Sequence, residues 1–300
     1  MHRRRCRGRG SLRGSGRWRR NVCHAAHVNR ENRNVIPAYE VIGTGPETVL
    51  IPGTFSDRRT WSRVVGRLSG RFRCLLLDPR GTNQTPDPGT AFSADDLASD
   101  VVSAMDAAGF ERAHLIGHSL GASVAVILGA RRPDRVRRLV ACAVSPAPDA
   151  YLNAVLDMWS ALVDSNLPAH ALHLGLVLNA FGRGAFENGT VRAIVDEMDR
   201  HPIDRATIRR YIECDRRLDL SPVMRTVDAS TLVVVGAQDA LTGVEGARAV
   251  ADSIPGARLE RAPASVARGR VLQAGLAPAG VVVTQGQTDW EEGVRAGPGG

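Results

Sequence analysis

The stretch that decides the fold is HLIGHSLGASVAVILGARRP, residues 114–133. Residues 114–116 predict a short buried strand, and residues 120–131 predict an apolar helix that a proline ends. Between them stands GHSLG at residues 117–121, the pattern GxSxG. Glycines suit a sharp turn from strand to helix, because the serine between them is strained and closely surrounded. The pattern therefore predicts an exposed Ser119 hydroxyl beside the first N–H groups of the helix, the alternative being an ordinary helix cap.

The sequence on both sides of this turn alternates short apolar runs with helical stripes. The predicted strands are residues 39–42, 48–51, 74–77, 138–144, 232–235 and 257–260. The further predicted helices are residues 59–68, 97–108 and 244–254. Strands that alternate with helices imply a mostly parallel sheet with helices on both faces and with its sites at the carboxyl ends of the strands.

This alternation is interrupted between about residues 146 and 224 by several helical stripes. One stripe is formed by Leu152, Val155, Leu156, Trp159 and Leu162. We therefore expect a helical insertion that divides the core in two. The predicted organisation is a disordered Arg-rich tail at 1–34, a first core part at 35–145, a helical cap at 146–225, a second core part at 226–261 and an irregular or disordered segment at 262–300.

Charge and cysteine content exclude several classes of function. The 300 residues carry a net charge of +8, of which residues 1–34 hold +10, so the remainder is slightly acidic and has no basic footprint for nucleic acid. No apolar run is long enough to cross a bilayer. The five cysteines are odd in number and lack CxxC spacing, which indicates neither a disulfide framework nor a zinc site and favours the cytoplasm.

Three motifs together resemble the α/β-hydrolase family, in its capped, serine-nucleophile members of the esterase and enol-lactonase type. They are the GHSLG turn, VLIPGTFSDRRTW at residues 49–61, which is similar to the family's first βα loop, and LDPRGTNQT at residues 77–85. The resemblance covers about residues 39–260 and implies the α/β fold class with a helical cap. Pro52 stands where the family usually has histidine, and Asn83 stands where a second glycine is common.

The resemblance also implies the roles of the site residues. Ser119 would be the nucleophile, and the backbone N–H groups of Thr54 and Leu120 would form the oxyanion hole. Asp239, in LVVVGAQDALTG at residues 232–243, matches the acid that orients the catalytic imidazole. His118 adjoins the nucleophile and is expected to support the site, since consecutive side chains diverge at such a turn.

The catalytic histidine is where the sequence departs from the family. Its expected place is near residues 261–266, which have the sequence RAPASV, and no histidine follows His201. Loss of the base from a catalytic triad costs on the order of a millionfold in turnover. His170, His173 and His201 lie in the predicted insertion and are the alternatives for the base. Residues 262–300 resemble out-of-frame translation of GC-rich DNA, which the nucleotide sequence in the other frames would test.

These features predict a serine hydrolase of a small-molecule carboxylic ester or lactone that forms an acyl-enzyme and needs no metal or organic cofactor. Without its histidine the enzyme would be crippled. One alternative is a non-catalytic relative that binds a small ligand or a protein partner. Another is a nucleic-acid binder that acts through the arginines of residues 1–34, whereas the folded body is expected to bind neither nucleic acid nor membranes. The oligomeric state is not predicted.

Overall fold

The computed structural model describes residues 22–28 and 35–262. Its strands there are β1 (Val22–His24), β2 (His27–Val28), β3 (Val35–Ile36), β4 (Tyr39–Ile42), β5 (Glu47–Ile51), β6 (Arg73–Leu77), β7 (Ala113–His118), β8 (Val136–Cys142), β9 (Ser230–Gly236) and β10 (Arg258–Ala262). Eight of these form one sheet in the order β1-β4-β6-β5-β7-β8-β9-β10. The six strands from β6 to β10 in that order are parallel, and β4 and β1 add antiparallel pairings at one edge. The predicted mostly parallel sheet is confirmed.

The helices in the described residues are α1 (Ser62–Leu68), α2 (Ala94–Ala108), α3 (Leu120–Arg131), α4 (Ala150–Asp164), α5 (Ala169–Val177), α6 (Arg183–Glu187), α7 (Thr190–Arg200), α8 (Arg205–Arg216) and α9 (Val244–Ser253). None of them is long and apolar enough to span a membrane. Alternate residues of the strands pack against opposite helical layers. In β5, Val49 and Ile51 belong to the same apolar cluster as α2, α3 and α9, whereas Leu50 packs in the cluster of α1. This alternation follows from the two-residue period of a strand.

Most predicted bounds shift by one to three residues in the structure, and two regions differ more. The predicted helix at 59–68 is divided into a 3₁₀ turn at Arg58–Trp61 and α1. The side chain of Asp57 caps the start of the turn by accepting from the backbone N–H of Arg59. Within the tail predicted to be disordered, β1 pairs with β4 and β2 pairs with β3. The pairing of β1 satisfies the backbone N–H and C=O groups of β4 at the edge of the main sheet. The arginine content of this segment does not reveal such pairing. Residues 1–21, 29–34 and 263–300 lie outside the described residues.

Helices α4 to α8 lie between β8 and β9 in the chain, and α4, α5 and α8 form an apolar cluster of their own, whereas α6 and α7 pack in a smaller one. The buried members of the larger cluster are Val155, Leu156, Trp159, Val163, Leu172, Leu176, Ile208 and Ile212. Phe55, from the loop after β5, packs against this cluster and against the main core. The helices therefore contact the loops at the carboxyl edge of the sheet.

Candidate active site

Ser119 occupies the sharp turn between β7 and α3. Its backbone has φ 54° and ψ −127°, a conformation that L-residues adopt rarely and at a cost of about 1–3 kcal/mol. Its N–H donates to the carbonyl of Cys142 at 2.8 Å. A side chain at Gly117 would overlap the backbone of Gly121, and one at Gly121 would overlap the carbonyl oxygen of Ile51. The glycines are therefore required by close backbone approach.

Two backbone N–H groups are free to face a negative charge near Ser119. Leu120 begins α3, and Thr54 lies in the loop after β5, the strand beside β7. Among the described residues, neither N–H donates a hydrogen bond. The two segments touch, since a Cβ placed at Gly53 would lie 3.0 Å from the Cβ of Ser119. The structure thus brings the loop of Thr54 against Ser119 and the start of α3.

Asp239 lies in the turn after β9, two strands from β7 and at the same edge of the sheet. Its Oδ1 accepts from the N–H groups of Leu241 and Thr242, both at 3.0 Å, and its Oδ2 accepts from the hydroxyl of Thr242 at 2.8 Å. These bonds fix the orientation of the carboxylate. Beside it, the carbonyl of Ala262 at the end of β10 accepts from the N–H of Ala237 at 2.8 Å. The residues that follow β10, where the family resemblance places a histidine, lie outside the described residues.

The His118 ring packs beneath the loop of Gly53. Its Nδ1 is buried without a hydrogen-bond partner among the described residues, and a Cβ at Gly53 would lie 3.2 Å from it. Burial lowers the pKa of His118, although the negative charge of Asp239 opposes this effect. Burial therefore favours the neutral ring, and the role of His118 in supporting the site stays a prediction.

The three histidines considered as substitutes for the base are engaged away from Ser119. His170 and His173 on α5 bind the two carboxylate oxygens of Asp199 on α7 through their Nδ1 atoms, at 2.7 and 2.6 Å. His201 faces Glu197 on the same helix. Among the described residues, Ser119 Oγ has no hydrogen-bond partner, so the structure does not join these rings to Ser119.

The loop after β5 carries contacts that sequence reasoning missed. Phe55 has φ 58° and makes edge-to-face contacts with Trp159 on α4 and Tyr211 on α8, at 5.3 and 6.2 Å between ring centroids. The hydroxyl of Thr54 donates to Oδ2 of Asp215, also on α8, at 2.7 Å. Burial raises the pKa of Asp215 to about 7. No pattern in the sequence connects Thr54 with Asp215, which are 161 positions apart.

The loop after β6 explains the asparagine that replaces a common glycine. Asn83 has φ 44°, a left-handed conformation that asparagine tolerates better than most residues. Its amide donates to the buried carboxylate of Asp78 at 3.0 Å. No three His, Cys, Asp or Glu side chains of the described chain cluster closely enough to ligate a metal ion.

Comparisons with known proteins agree with this geometry. The sequence profile of the alpha/beta hydrolase fold family matches residues 49–265. RutD of Caulobacter sp. (strain K31), named provisionally as a carbamate hydrolase, is 29% identical over 75% of this chain and 87% of its own length. Pyrrolizixenacetamide deacetylase of Xenorhabdus hominickii is 27% identical over 74% of this chain and 84% of its own length.

A solved structure gives the same result for the fold. The crystal structure of a hydrolase from Pseudomonas aeruginosa PA01 has a TM-score of 0.74 and 24% identity, and the match covers 87% of this chain and 96% of that one. The match of the family profile extends over more than half of the chain. The protein is therefore a hydrolase-fold protein that belongs to the alpha/beta hydrolase family.

Proposed function

We propose that this protein is a serine hydrolase that cleaves a small-molecule carboxylic ester or lactone through an acyl-enzyme. The observation that carries the proposal is the strained conformation of Ser119, with the unbonded N–H groups of Thr54 and Leu120 close by. Strain of this kind collects at functional sites, because an ordinary helix cap does not require it.

The chemistry follows from this arrangement. Ser119 Oγ attacks the acyl carbon and loses its proton to a base, while the carbonyl oxygen becomes an oxyanion held by the two N–H groups. The leaving alkoxide takes up a proton as it departs. Water then attacks the acyl-enzyme and releases the acid. Asp239, which Leu241 and Thr242 hold close to the end of β10, is the carboxylate that orients the base.

The leaving group distinguishes esters from amides. RutD and the Xenorhabdus deacetylase bear names that refer to carbamate and acetamide chemistry. An amine must be protonated before it departs, so amide cleavage depends on a general acid more strongly than cleavage of an activated ester does. Since no imidazole bonds to Ser119 in the described structure, the site is better suited to an ester or lactone.

Helices α4 to α8 supply the remaining walls of the proposed substrate site. We assign residues 146–225 as a cap on a core made of residues 35–145 and 226–261. Phe55 and Trp159 contact each other where the loop after β5 meets α4, and we infer an apolar wall there, which favours a small apolar acyl group. Cys74, Cys142 and Cys214 are free and buried, which is consistent with a reducing compartment such as the cytoplasm.

A second candidate function is supported by one observation. No histidine follows His201 in the sequence, so the fold could serve as a non-catalytic relative that binds a small ligand. A covalent serine probe distinguishes the two candidate functions, because the probe reacts with an activated serine and not with the serine of a non-catalytic protein.

The test is labelling with a fluorophosphonate. We expect the full chain to be labelled, Ser119→Ala to be unlabelled, and Ser123→Ala, a buried serine one turn farther along α3, to keep the label. An unlabelled full chain that is folded by circular dichroism would instead support the non-catalytic candidate. Hydrolysis of p-nitrophenyl acetate, compared with p-nitroacetanilide, then checks the preference for esters over amides.

A further inference from the structure

Asp215 is a carboxylate that the proposed reaction does not use, although it contacts the proposed oxyanion loop. It lies in the last turn of α8, one turn after Tyr211. The Tyr211 hydroxyl donates to the carbonyl of Arg80 at 2.9 Å, and its ring packs edge-to-face on Phe92 at 4.9 Å between centroids. The end of α8 is thereby anchored to the core, so Asp215 is presented from a rigid support.

The contact between Asp215 and Thr54 restrains a loop that is under strain. The Thr54 hydroxyl donates to Asp215 Oδ2 at 2.7 Å, and the next residue, Phe55, has φ 58°. A non-glycine residue in this conformation persists only where its surroundings hold it. Within the described residues, Asp215 is the hydrogen-bond partner of the Thr54 side chain. This bond is made by the same residue whose backbone N–H is assigned to the oxyanion.

No cation compensates the Asp215 carboxylate within the described structure. From the loop, Thr54 faces it. The ionisable groups next to it at the end of α8 are Tyr211, Cys214, Arg216 and Arg217. Arg80, in the loop after β6, and Asp100, on α2, lie on the far side of Tyr211. Arg216 pairs with Asp157, Arg217 donates to the carbonyl of Glu213, and Arg80 pairs with Asp100. Burial therefore raises the pKa of Asp215 to about 7, although the bond from Thr54 lowers it.

We propose that Asp215 is a positioning residue of the oxyanion hole, which holds Thr54 in place and does so productively when its carboxyl group is neutral. A neutral carboxyl still accepts the bond from Thr54, whereas an ionised one places a negative charge beside the developing oxyanion and opposes it. The inference rests on the proposed function, because it assumes that Thr54 donates to an oxyanion formed at Ser119.

The test measures the rate of Ser119 labelling by an uncharged fluorophosphonate from about pH 5.5 to pH 9, as a ratio of Asp215→Asn to wild type. The ratio cancels the other ionisations on the pathway. We expect it to rise about tenfold as pH increases through about 7. Glu213→Gln, which removes an exposed carboxylate from the same helix, should keep a constant ratio.

Variants of Thr54 separate positioning from a merely structural role. Thr54→Val and Asp215→Leu should each label about tenfold more slowly than wild type. Thr54→Ser, which keeps the hydroxyl, should label faster than Thr54→Val. The double variant should be no slower than Thr54→Val alone, since both changes remove one interaction. Melting temperatures of all variants confirm that folded proteins are compared.

The outcomes distinguish this inference from the proposed function. A wild-type chain that is not labelled at Ser119 removes the proposed function itself. A wild-type chain that is labelled, with a flat Asp215→Asn ratio across pH and unchanged labelling of Thr54→Val, overturns the role of Asp215 and leaves the serine hydrolase proposal standing. If Asp215→Leu does not fold, the Asp215→Asn ratio and Thr54→Val still decide.

Discussion

Backbone strain at single residues is concentrated at one edge of the sheet. Within the described residues, the non-glycine residues with positive φ are Phe55, Asn83, Ser119 and Ala143. They follow β5, β6, β7 and β8 respectively, at the carboxyl ends of four adjacent parallel strands. Each such residue costs about 1–3 kcal/mol and requires surrounding contacts to hold it. The carboxyl edge of the sheet therefore carries backbone strain that lowers the stability of the fold but fixes the shape of these loops.

The close approach at Gly121 predicts a large effect of a single methyl group. Gly121→Ala would drive a Cβ into the carbonyl oxygens of Ile51 and Pro52, so we expect a loss of at least about 3 kcal/mol of unfolding free energy. Gly66→Ala is the matched control in α1, where a Cβ meets nothing within 4 Å and should stabilise by about 0.5–1 kcal/mol. Urea denaturation measures both, and equal stabilities of the two variants would contradict the model of the turn.

Within the described residues no base contacts Ser119, and this predicts chemical rescue. Ser119 lacks an imidazole partner in the described structure, whereas Asp239 is already oriented by Leu241 and Thr242. Free imidazole should therefore accelerate hydrolysis of p-nitrophenyl acetate by the full chain, with saturation as imidazole binds beside Asp239. Ser119→Ala corrects for hydrolysis by imidazole in solution. A rate that depends on imidazole equally in both proteins would argue against a site built for a base.

At the scale of elements, the loop after β6 is tied to α2 by a buried ion pair. Arg80 donates two hydrogen bonds to Asp100, at 2.7 and 2.6 Å, and both side chains are almost fully buried. A buried pair adds little net stability, but removal of one partner leaves the other charge without compensation. The pair therefore enforces the position of the loop on α2.

This pair predicts unequal effects of two substitutions on one helix. Asp100→Asn should lower the free energy of unfolding by about 3–5 kcal/mol, because the Arg80 guanidinium remains buried. Asp95 is also on α2 and makes an exposed ion pair with Arg131 on α3. Asp95→Asn should therefore lower the free energy of unfolding by less than about 1 kcal/mol. Denaturant titration of both variants checks the difference. A loss for Asp100→Asn as small as that for Asp95→Asn would show that the pair is solvated.

Elements built from local patterns were predictable, whereas contacts between distant elements were not. The bounds of β4 and α3 agree with the periodicity, since a strand or helix is specified by neighbouring residues. The contact between Thr54 and Asp215 forms only when α8 packs on the loop after β5, and nothing local marks it. The base could not be located from either source, because no histidine follows His201 and residues 263–266 lie outside the described chain.

For the whole molecule, one buried carboxyl couples stability to pH. The pKa of Asp215 is about 7 in the folded protein and close to 3.8 when it is unperturbed, so the folded chain keeps a proton that the unfolded chain releases. Below pH 3.8 the protonated carboxyl costs the folded state nothing relative to the unfolded state. Folding stability then falls as pH rises from there towards 7, and the full loss is reached above the folded pKa.

This coupling predicts a pH-dependent gain for Asp215→Asn. The unfolding free energy of the variant minus that of wild type should be larger at about pH 8 than at about pH 5, because the amide has no proton to lose. The variant thus becomes relatively more stable as pH rises. Urea denaturation at the two pH values measures the difference, and Glu213→Gln serves as the control on the same helix. A relative stability that does not change with pH would mean that the carboxyl is solvated in the folded state.

The glycine contacts at the turn also determine where new specificity can arise. Because the end of β5 and the start of α3 meet with no room for a side chain, mutational libraries aimed there will mostly yield insoluble protein. Helices α4 to α8 have exposed apolar residues, such as Tyr151 and Leu174, and should tolerate exchange more readily. Engineers who seek a different substrate should therefore diversify residues 150–216 and keep the frame beneath them constant.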